Sequence, residues 1–278
     1  MVLAMAAFTF EDMFIKSASS TVPVGEILII FGFGGTLAFC LLTLRRQERI
    51  FHPAILTRPI MIRVVCEMTA RLTYTLSLAL IPLSTASTIL QATPLVVVMG
   101  AAIFFGEKVG WHRWLAILIG FVGVLMVIRP GMDSFEPASL LAVVGMLGFA
   151  FRDLTTRAAP PVLSNVQLGV YGFFILIPTG GIMLFYTGGA IWLDWVSGAQ
   201  IFGATVFGTA AYFALTVAMR TGEVSVVTPF RYTRLVFALI MGMIIFSERP
   251  DTMTLLGSVI IVGTGCYTLF RSRRRVKA

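Results

Sequence analysis

The feature that most constrains this chain is a succession of apolar blocks, each of roughly 17 to 25 residues. A helix of about 20 apolar residues spans the hydrocarbon core of a bilayer. Backbone groups in lipid must be satisfied within a helix or a closed barrel, and the blocks lack the two-residue alternation of barrel strands. Only 12% of the 278 residues are charged, whereas soluble domains carry about 25%. The sequence therefore predicts an all-α integral membrane protein.

The apolar blocks predict ten transmembrane helices. The first is the weakest, because Glu11, Asp12 and Lys16 interrupt a short apolar stretch. The start, Met1 to Met5, has no basic segment, so we expect no cleavable signal peptide. The spans lie near residues 1–17, 24–44, 60–80, 84–105, 112–128, 138–156, 163–186, 197–219, 224–246 and 253–270.

The distribution of basic residues predicts the orientation. With the amino terminus inside, the external loops hold only Lys16, Arg129 and Arg249. The other loop arginines and lysines, Arg152 among them, and the basic tail 272–278 are then cytoplasmic, as the positive-inside rule requires. We therefore expect a multi-pass protein of the cell inner membrane with both termini in the cytoplasm.

The chain repeats itself at an offset of 141 positions, which brings Ser84 onto Ser225 and Asp12 onto Asp153. The same shift brings 105–108 (Phe-Gly-Glu-Lys) onto 246–249 (Phe-Ser-Glu-Arg). A match held across half a chain is a repeat. The glutamates of these segments, Glu107 and Glu248, lie at span ends and are expected to cap loops or anchor gates.

The repeat divides the chain into two halves, 1–130 and 138–271, followed by the basic tail 272–278. Each half has five spans, an odd number, so the second half enters the membrane from the opposite side. Inverted repeats of this kind are typical of transporters that alternate access around a site near the midplane. We expect two inverted five-helix repeats around a central cavity.

The paired ends of the fourth and ninth spans, with the stretch 230–237 (Phe-Arg-Tyr-Thr-Arg-Leu-Val-Phe), resemble the EamA-type branch of the drug/metabolite transporter superfamily. The resemblance covers nearly the whole chain. It implies the ten-helix, two-repeat fold with a central cavity. Similar proteins include exporters of amino acids and metabolites, and importers of riboflavin and S-adenosylmethionine, so the substrate stays open. They often carry an arginine in the second span where Phe31 aligns, and that charge is missing here.

The third span carries a polar face. Arg63, Glu67 and Arg71 are spaced by four residues, and Tyr74 follows three residues later, so all four share one side of a helix. Charges within spans are costly and usually face a cavity or a partner. Glu67 and Arg71 are therefore either substrate ligands or members of an ion-pair ladder that holds the bundle. Arg63, nearer the cytoplasmic end, is expected to snorkel to the interface.

The repeat partner of the third span, the eighth, also has a hydroxyl face, formed by Thr205, Thr209, Tyr212 and Thr216. Tyr212 is the repeat equivalent of Arg71. Such hydroxyls either line a shared cavity or bond to their own helix; we favour the cavity.

The ninth span holds two arginines, Arg231 and Arg234, on one face. A guanidinium grips a carboxylate or phosphate through paired donors. The two arginines therefore bind an anionic ligand group, pair with Glu67 or Asp12, or anchor the span at the cytoplasmic end. The full set of expected substrate ligands, with Tyr232 and its repeat equivalent Gln91 as donors, is Glu67, Arg71, Tyr74, Gln91, Tyr212, Arg231, Tyr232 and Arg234.

Two i, i+4 pairs, Asp12 with Lys16 and Asp153 with Arg157, are expected to lock helix ends. Asp12, or Glu11 beside it, is a candidate for proton coupling.

Helix breaks are expected at corresponding places in the two halves. They are the glycines 32, 34 and 35 of the second span, Pro178, Gly180 and Gly181 of the seventh, and the prolines 94 and 229.

Several other functions find little support. The net charge of +8 comes mainly from basic residues between the apolar blocks and in the tail, where they orient a membrane protein. This placement argues against nucleic acid as a partner. Cys40, Cys66 and Cys266 lie in apolar blocks without a CxxC spacing, so no disulfide or metal site is expected. With two histidines and no nucleotide-binding loop, no catalytic residue or cofactor is expected.

The favoured hypothesis is that the protein is a secondary transporter of a small polar metabolite. The metabolite is either amino acid-like or flavin- or S-adenosylmethionine-like. Proton coupling, and the choice between a monomer and a homodimer, stay open. A membrane-embedded enzyme and a non-transporting scaffold are the alternatives.

Overall fold

The computed structural model describes residues 1–106, 109–132, 135–158, 160, 162–187, 189–221 and 228–276. Glu107 and Ser225, whose repeat partners are described below, lie outside these residues, as do the side chains of Arg157 and Thr216 and of the tail.

Within the described ranges the chain forms helices, and each predicted span contains at least one helix. Short 3-10 turns lie at Pro53–Leu56 and Thr228–Tyr232. The helices are α1 Val2–Ala18, α2 Val24–Arg45, α3 Arg58–Leu80, α4 Leu83–Leu90, α5 Thr93–Phe105, α6 Trp111–Ile128, α7 Ser139–Arg157, α8 Asn165–Phe174, α9 Leu176–Thr187, α10 Trp195–Thr221, α11 Thr233–Ile245 and α12 Thr252–Val276.

Among the described residues, six helical stretches are long and apolar enough to cross a membrane by length and composition, and Thr252–Thr268 in α12 forms a shorter apolar helix. The six are Val24–Arg45, Leu83–Phe105, Trp111–Ile128, Ser139–Thr156, Asn165–Tyr186 and Trp195–Leu215. Two of these, Leu83–Phe105 and Asn165–Tyr186, each combine two helices that meet at a break.

The breaks fall close to prolines. Between α4 and α5, Gln91 and Ala92 turn the chain, and Pro94 lies in the first turn of α5, where its missing N–H costs no helical hydrogen bond. Pro178 follows the break at Ile175 between α8 and α9 by three residues. The glycines of α2 do not interrupt that helix. Gly35 instead lies against the Phe173 ring, where an added Cβ would be 1.9 Å from the nearest ring carbon. The predicted breaks are therefore present in the seventh span and absent from the second.

The helices pair in a regular way. The most extensive contacts join α1 to α10, α3 to α7, α6 to α12, and α2 to α8 and α9; α4 also packs on α11. In each of these pairs one helix comes from residues 2–128 and the other from residues 139–276. The buried side chains between them form one large apolar core and a small second cluster at the start of α1.

The contact of α2 with α9 depends on two glycines that lie against each other. A Cβ at Gly180 would come within 2.3 Å of the Gly25 carbonyl oxygen, whereas one at the neighbouring Gly181 would meet no atom within 4 Å.

We expect Gly180→Ala to lower the free energy of unfolding by about 1–3 kcal/mol, because the backbone of α2 must move to admit the methyl group. Gly181→Ala is the matched control in the same helix turn, and its higher helix propensity should leave stability unchanged or raised by up to about 1 kcal/mol. Thermal unfolding of the two purified variants in detergent compares them. Equal melting temperatures would contradict the close contact.

Candidate functional site

A cavity lies in the bundle interior, where α1, α3, α7, α10 and the start of α11 meet the break between α4 and α5. Its volume is about 50 Å³, and it is partly open to solvent. Four arginines provide all the charged side chains of its lining among the described residues. The lining consists of Met5, Phe8, Arg71, Tyr74, Leu90, Gln91, Thr93, Pro94, Phe149, Arg152, Leu215, Arg231 and Arg234.

Arg71 lies midway along α3 and joins that helix to α1. Its Nη1 donates to the Glu11 carboxylate at 2.6 Å, and its Nε lies 3.8 Å from Glu67. Glu11 is fully buried. The guanidinium also lies over the rings of Phe31 and Phe149, with 5.5 and 5.7 Å to their centroids. Arg71 is therefore held by charge on one side and by aromatic faces on the other.

Arg234, in the first turn of α11, binds the acid next to Glu11. Its Nη2 donates to Asp12 at 2.6 Å, and the Tyr74 hydroxyl donates to the same carboxylate oxygen at 3.2 Å. The guanidinium lies 5.0 Å from the Phe8 ring centroid. Of the two partners predicted for the ninth-span arginines, Asp12 is therefore the one that Arg234 contacts.

Arg152 and Arg231 share Asp153. Arg152 donates to Asp153 at 2.7 Å and lies 3.4 Å from Glu67, while Arg231 lies 3.5 Å from the second oxygen of Asp153. Gln91, at the α4–α5 break, donates through its amide to the backbone carbonyl of Arg231 at 2.9 Å. This contact connects the break to the turn that begins the ninth span.

Glu67 and Tyr212 lie beside the main cavity. With Arg71, Gly172, Phe173 and Leu176 they line a second, much smaller space of about 10 Å³. Arg63 reaches the same place and donates to Thr156 Oγ1 at 2.9 Å and to the Tyr212 hydroxyl at 3.5 Å. Arg63 is 1% exposed, so the prediction that it snorkels to the interface was wrong.

Two further predictions differ from the structure. Asp12 pairs with Arg234 rather than with Lys16, whose ammonium instead donates to the carbonyls of Leu78 and Ile81 at 3.0 and 2.5 Å, at the end of α3. Tyr232 is buried but does not line the cavity. Its hydroxyl lies against Gly265 of α12 and has no hydrogen-bond partner among the described residues.

Thr205 and Thr209 of the eighth span bond to their own helix. Thr205 donates to the Ile201 carbonyl at 2.9 Å, and Thr209 donates to the Thr205 carbonyl at 2.8 Å. Among the described side chains of the predicted hydroxyl face, Tyr212 is the one that reaches the charged residues.

Sequence reasoning missed Arg152, which we had assigned to the cytoplasmic side. Its side chain is 13% exposed and lines the cavity. The repeat carried a signal for it, because the offset of 141 places Arg152 on Glu11 and Asp153 on Asp12. The corresponding positions of the two halves thus both contribute to one cluster of charged side chains. This charged cluster consists of Glu11, Asp12, Arg63, Glu67, Arg71, Arg152, Asp153, Arg231 and Arg234.

The sequence matches the EamA-like transporter family over residues 1–129 and 137–270, which is nearly the whole chain. The chain belongs to the EamA-like transporter family. In keeping with this family and with its apolar helices, it is a multi-pass membrane protein and a transporter of small metabolites.

Several relatives carry names that state a substrate. The chain is 28% identical to a pseudopaline exporter of Pseudomonas aeruginosa, over 97% of this chain and 95% of that one. It is 27% identical to an S-adenosylmethionine uptake transporter of Rickettsia conorii, over 72% of this chain and 68% of that one. A riboflavin transporter of Rhizobium johnstonii is 26% identical, over 71% of this chain and 65% of that one.

A solved crystal structure is similar over 99% of this chain and 98% of that chain, with a TM-score of 0.68 and 15% identity. The two chains therefore share their fold over nearly their full lengths. Within the described residues, no group of three or more His, Cys, Asp or Glu side chains could hold a metal ion.

Proposed function

We propose that this EamA-like protein is a secondary carrier with ten transmembrane helices, built from two inverted five-helix repeats, 1–130 and 138–271. The helix pairing supports this arrangement. If α1 and α7 begin the repeats, then α1 with α10 and α3 with α7 are equivalent pairs, and α6 with α12 joins the two fifth spans. Such a pattern is what a twofold relation between the halves requires. We place both termini and the basic tail 272–278 in the cytoplasm of a bacterial cell, on the positive-inside rule.

The observation that carries the proposal is the position of the cavity. It is lined from both halves, by Arg71 and Gln91 from the first and by Arg152, Arg231 and Arg234 from the second. It also adjoins the break between α4 and α5. Carrier sites lie at the interface between repeats, where discontinuous helices meet.

The substrate-binding residues that we propose line the cavity or the second space beside it. They are Glu67, Arg71, Tyr74, Gln91, Tyr212, Arg231 and Arg234, to which the structure adds Arg152. Arg234 Nε is buried without a hydrogen-bond partner among the described residues. A buried donor of this kind requires a partner from water or a ligand. Glu11 and Asp12, each paired with an arginine, are the groups that we propose for coupling to a proton.

At one end of the bundle, contacts between the two halves close the space between them. This closure supports the proposal of alternating access. Glu248, which follows α11, accepts hydrogen bonds from the backbone N–H groups of Leu83 and Ser84 at 2.6 and 3.0 Å. Arg129, which follows α6, is bonded to Asp251 before α12. These residues lie on the side that the basic residues assign to the exterior. We propose that the conformation is closed to the outside at this end.

The relatives leave two substrate types open for this chain, an amino acid-derived metabolite or a flavin- or S-adenosylmethionine-like molecule. Metabolite profiling decides whether the protein is a carrier. Cells expressing the wild type, Arg234→Ala or Arg58→Ala are compared with cells holding an empty vector, and metabolites are measured inside and outside. Arg58 is an exposed arginine at the start of α3, so its variant controls for loss of a positive charge.

We expect one compound to redistribute with the wild type and with Arg58→Ala, and at least about tenfold less with Arg234→Ala, since a hydrogen bond from a charged donor to the ligand contributes roughly 1.5–3 kcal/mol. Equal redistribution by all three proteins would show that Arg234 is not part of the substrate site. No redistribution by any of them, with the proteins present in the membrane, would contradict the carrier.

A further inference from the structure

The charged groups around the cavity are arranged in two layers. The guanidinium groups of Arg71, Arg152, Arg231 and Arg234 line the cavity, whereas the carboxylates of Glu11, Asp12, Glu67 and Asp153 lie behind them and do not. The aromatic rings of Phe8 and Phe149 lie against the same arginines. A ligand that enters the cavity therefore meets positive charge.

The described side chains of the cluster also carry an excess of positive charge. Its ion pairs join five guanidinium groups, those of the four lining arginines and of Arg63, to four carboxylates. Each arginine has a carboxylate partner, but the formal charge of these described side chains is +1 because two carboxylates are shared. A buried charge without compensation is costly, and a ligand carrying one negative charge would supply the compensation.

The rest of the wall is apolar. Met5, Phe8, Leu90, Phe149 and Leu215 line the cavity together with the arginines. Binding sites with this composition bury an apolar body and orient it through a few polar groups. Because a guanidinium presents two parallel donors, the group that it binds best is a planar carboxylate.

We propose that the cavity selects small organic monoanions, a carboxylate on an apolar or aromatic body, over zwitterions, neutral molecules and cations. This inference rests on the carrier site proposed above and narrows its substrate class. It sets the chain apart from a carrier whose ligand is a cation, because a cation would add to the excess positive charge.

A series of ligands with one phenyl ring and different charges tests the selectivity. Phenylacetate, phenylacetamide, phenylalanine and phenethylamine are an anion, a neutral amide, a zwitterion and a cation. Their binding to the purified full-length protein in detergent is measured by calorimetry. We expect phenylacetate to bind at least about tenfold more tightly than any of the other three, the effect of roughly one charge-assisted contact. No binding of phenylacetate at millimolar concentration, or tighter binding of the amine, would overturn the proposal.

Two variants test whether the charge balance is the cause. Arg152→Gln removes the excess positive charge, so the preference for phenylacetate over phenylacetamide should fall to within about twofold. Glu67→Gln adds one positive charge and should shift the preference from phenylacetate toward the dianion phenyl phosphate. A merely structural role for either residue would change all affinities in parallel, and that result would overturn the proposal. Competition by inorganic phosphate as strong as by phenylacetate would also overturn it, because phosphate has no apolar body.

Flux into proteoliposomes keeps this inference separate from the carrier proposal. Selective binding of phenylacetate without movement of any anion across the membrane supports the charge selectivity and contradicts the carrier. Movement of a cation or zwitterion that Arg234→Ala abolishes supports the carrier and overturns the charge selectivity.

Discussion

Arg71→Gln is expected to abolish transport and to lower the stability of the folded protein by roughly 3–5 kcal/mol. The substitution removes the partner of Glu11, which has no exposed surface and lies 2.6 Å from the guanidinium. Glu67 loses one of its three arginine contacts in the same step. Thermal unfolding in detergent and flux of the identified substrate measure the two effects. Arg58 is an exposed arginine in the same helix, so Arg58→Gln should change neither the unfolding temperature nor the flux.

The double variant Glu11→Gln with Arg71→Gln separates structure from function. Replacing both members of a buried ion pair by neutral groups often restores stability, because no charge is left uncompensated. We therefore expect the double variant to unfold near the wild-type temperature and still to lack transport, since the cavity has lost a guanidinium and the bundle has lost one of the two carboxylates proposed for proton coupling. If the double variant transports at the wild-type rate, Arg71 belongs to a structural ion-pair ladder and not to the binding site.

The positions of the helices were predictable from the sequence because a membrane span must satisfy its backbone groups within one apolar segment of sufficient length. Where the prediction differed, packing decided. Gly35 in α2 looked like a point of flexibility, but it gives room to the ring of Phe173. A glycine that lets two helices approach and a glycine that lets one helix bend have the same sequence signature.

The charge partners were harder to predict than the charged residues. The spacing of Asp12 and Lys16 predicted a local pair, yet Asp12 contacts Arg234, 222 positions away in the chain. Lys16 instead donates to carbonyls at the end of α3, where a cation also matches the helix dipole. In a buried site an acid contacts the cation that tertiary packing brings nearest, and spacing along one helix carries no information about other helices.

Arg152 illustrates the limit of assigning residues by side of the membrane. Charge counting placed it in the cytoplasm, because it lies near the end of an apolar block. Its side chain turns into the bundle and joins Glu67 to Asp153. The internal repeat, applied residue by residue, would have aligned it with Glu11 and identified both as members of one cluster.

Glu248→Gln is expected to open the closed end of the bundle. The carboxylate accepts three hydrogen bonds, from the N–H groups of Leu83 and Ser84 and from the Ser84 hydroxyl at 2.7 Å, and it lies at the positive end of the α4 dipole. Glutamine keeps the shape but replaces one acceptor oxygen by a donor and removes the charge. Hydrogen bonds to charged groups contribute roughly 1.5–3 kcal/mol, so the ratio of closed to open molecules should fall by about tenfold or more.

Accessibility of the cavity measures this change directly. In a background with Cys40, Cys66 and Cys266 replaced by alanine, Leu90→Cys places a thiol in the cavity wall. An impermeant maleimide added to intact cells should label it about tenfold faster in Glu248→Gln than in Glu136→Gln, an exposed acid at the same end. Equal rates would mean that the contact between Glu248 and α4 only stabilises the fold. Faster labelling with reduced transport is the result that an external gate requires, because a carrier that stays open on one side cannot complete its cycle.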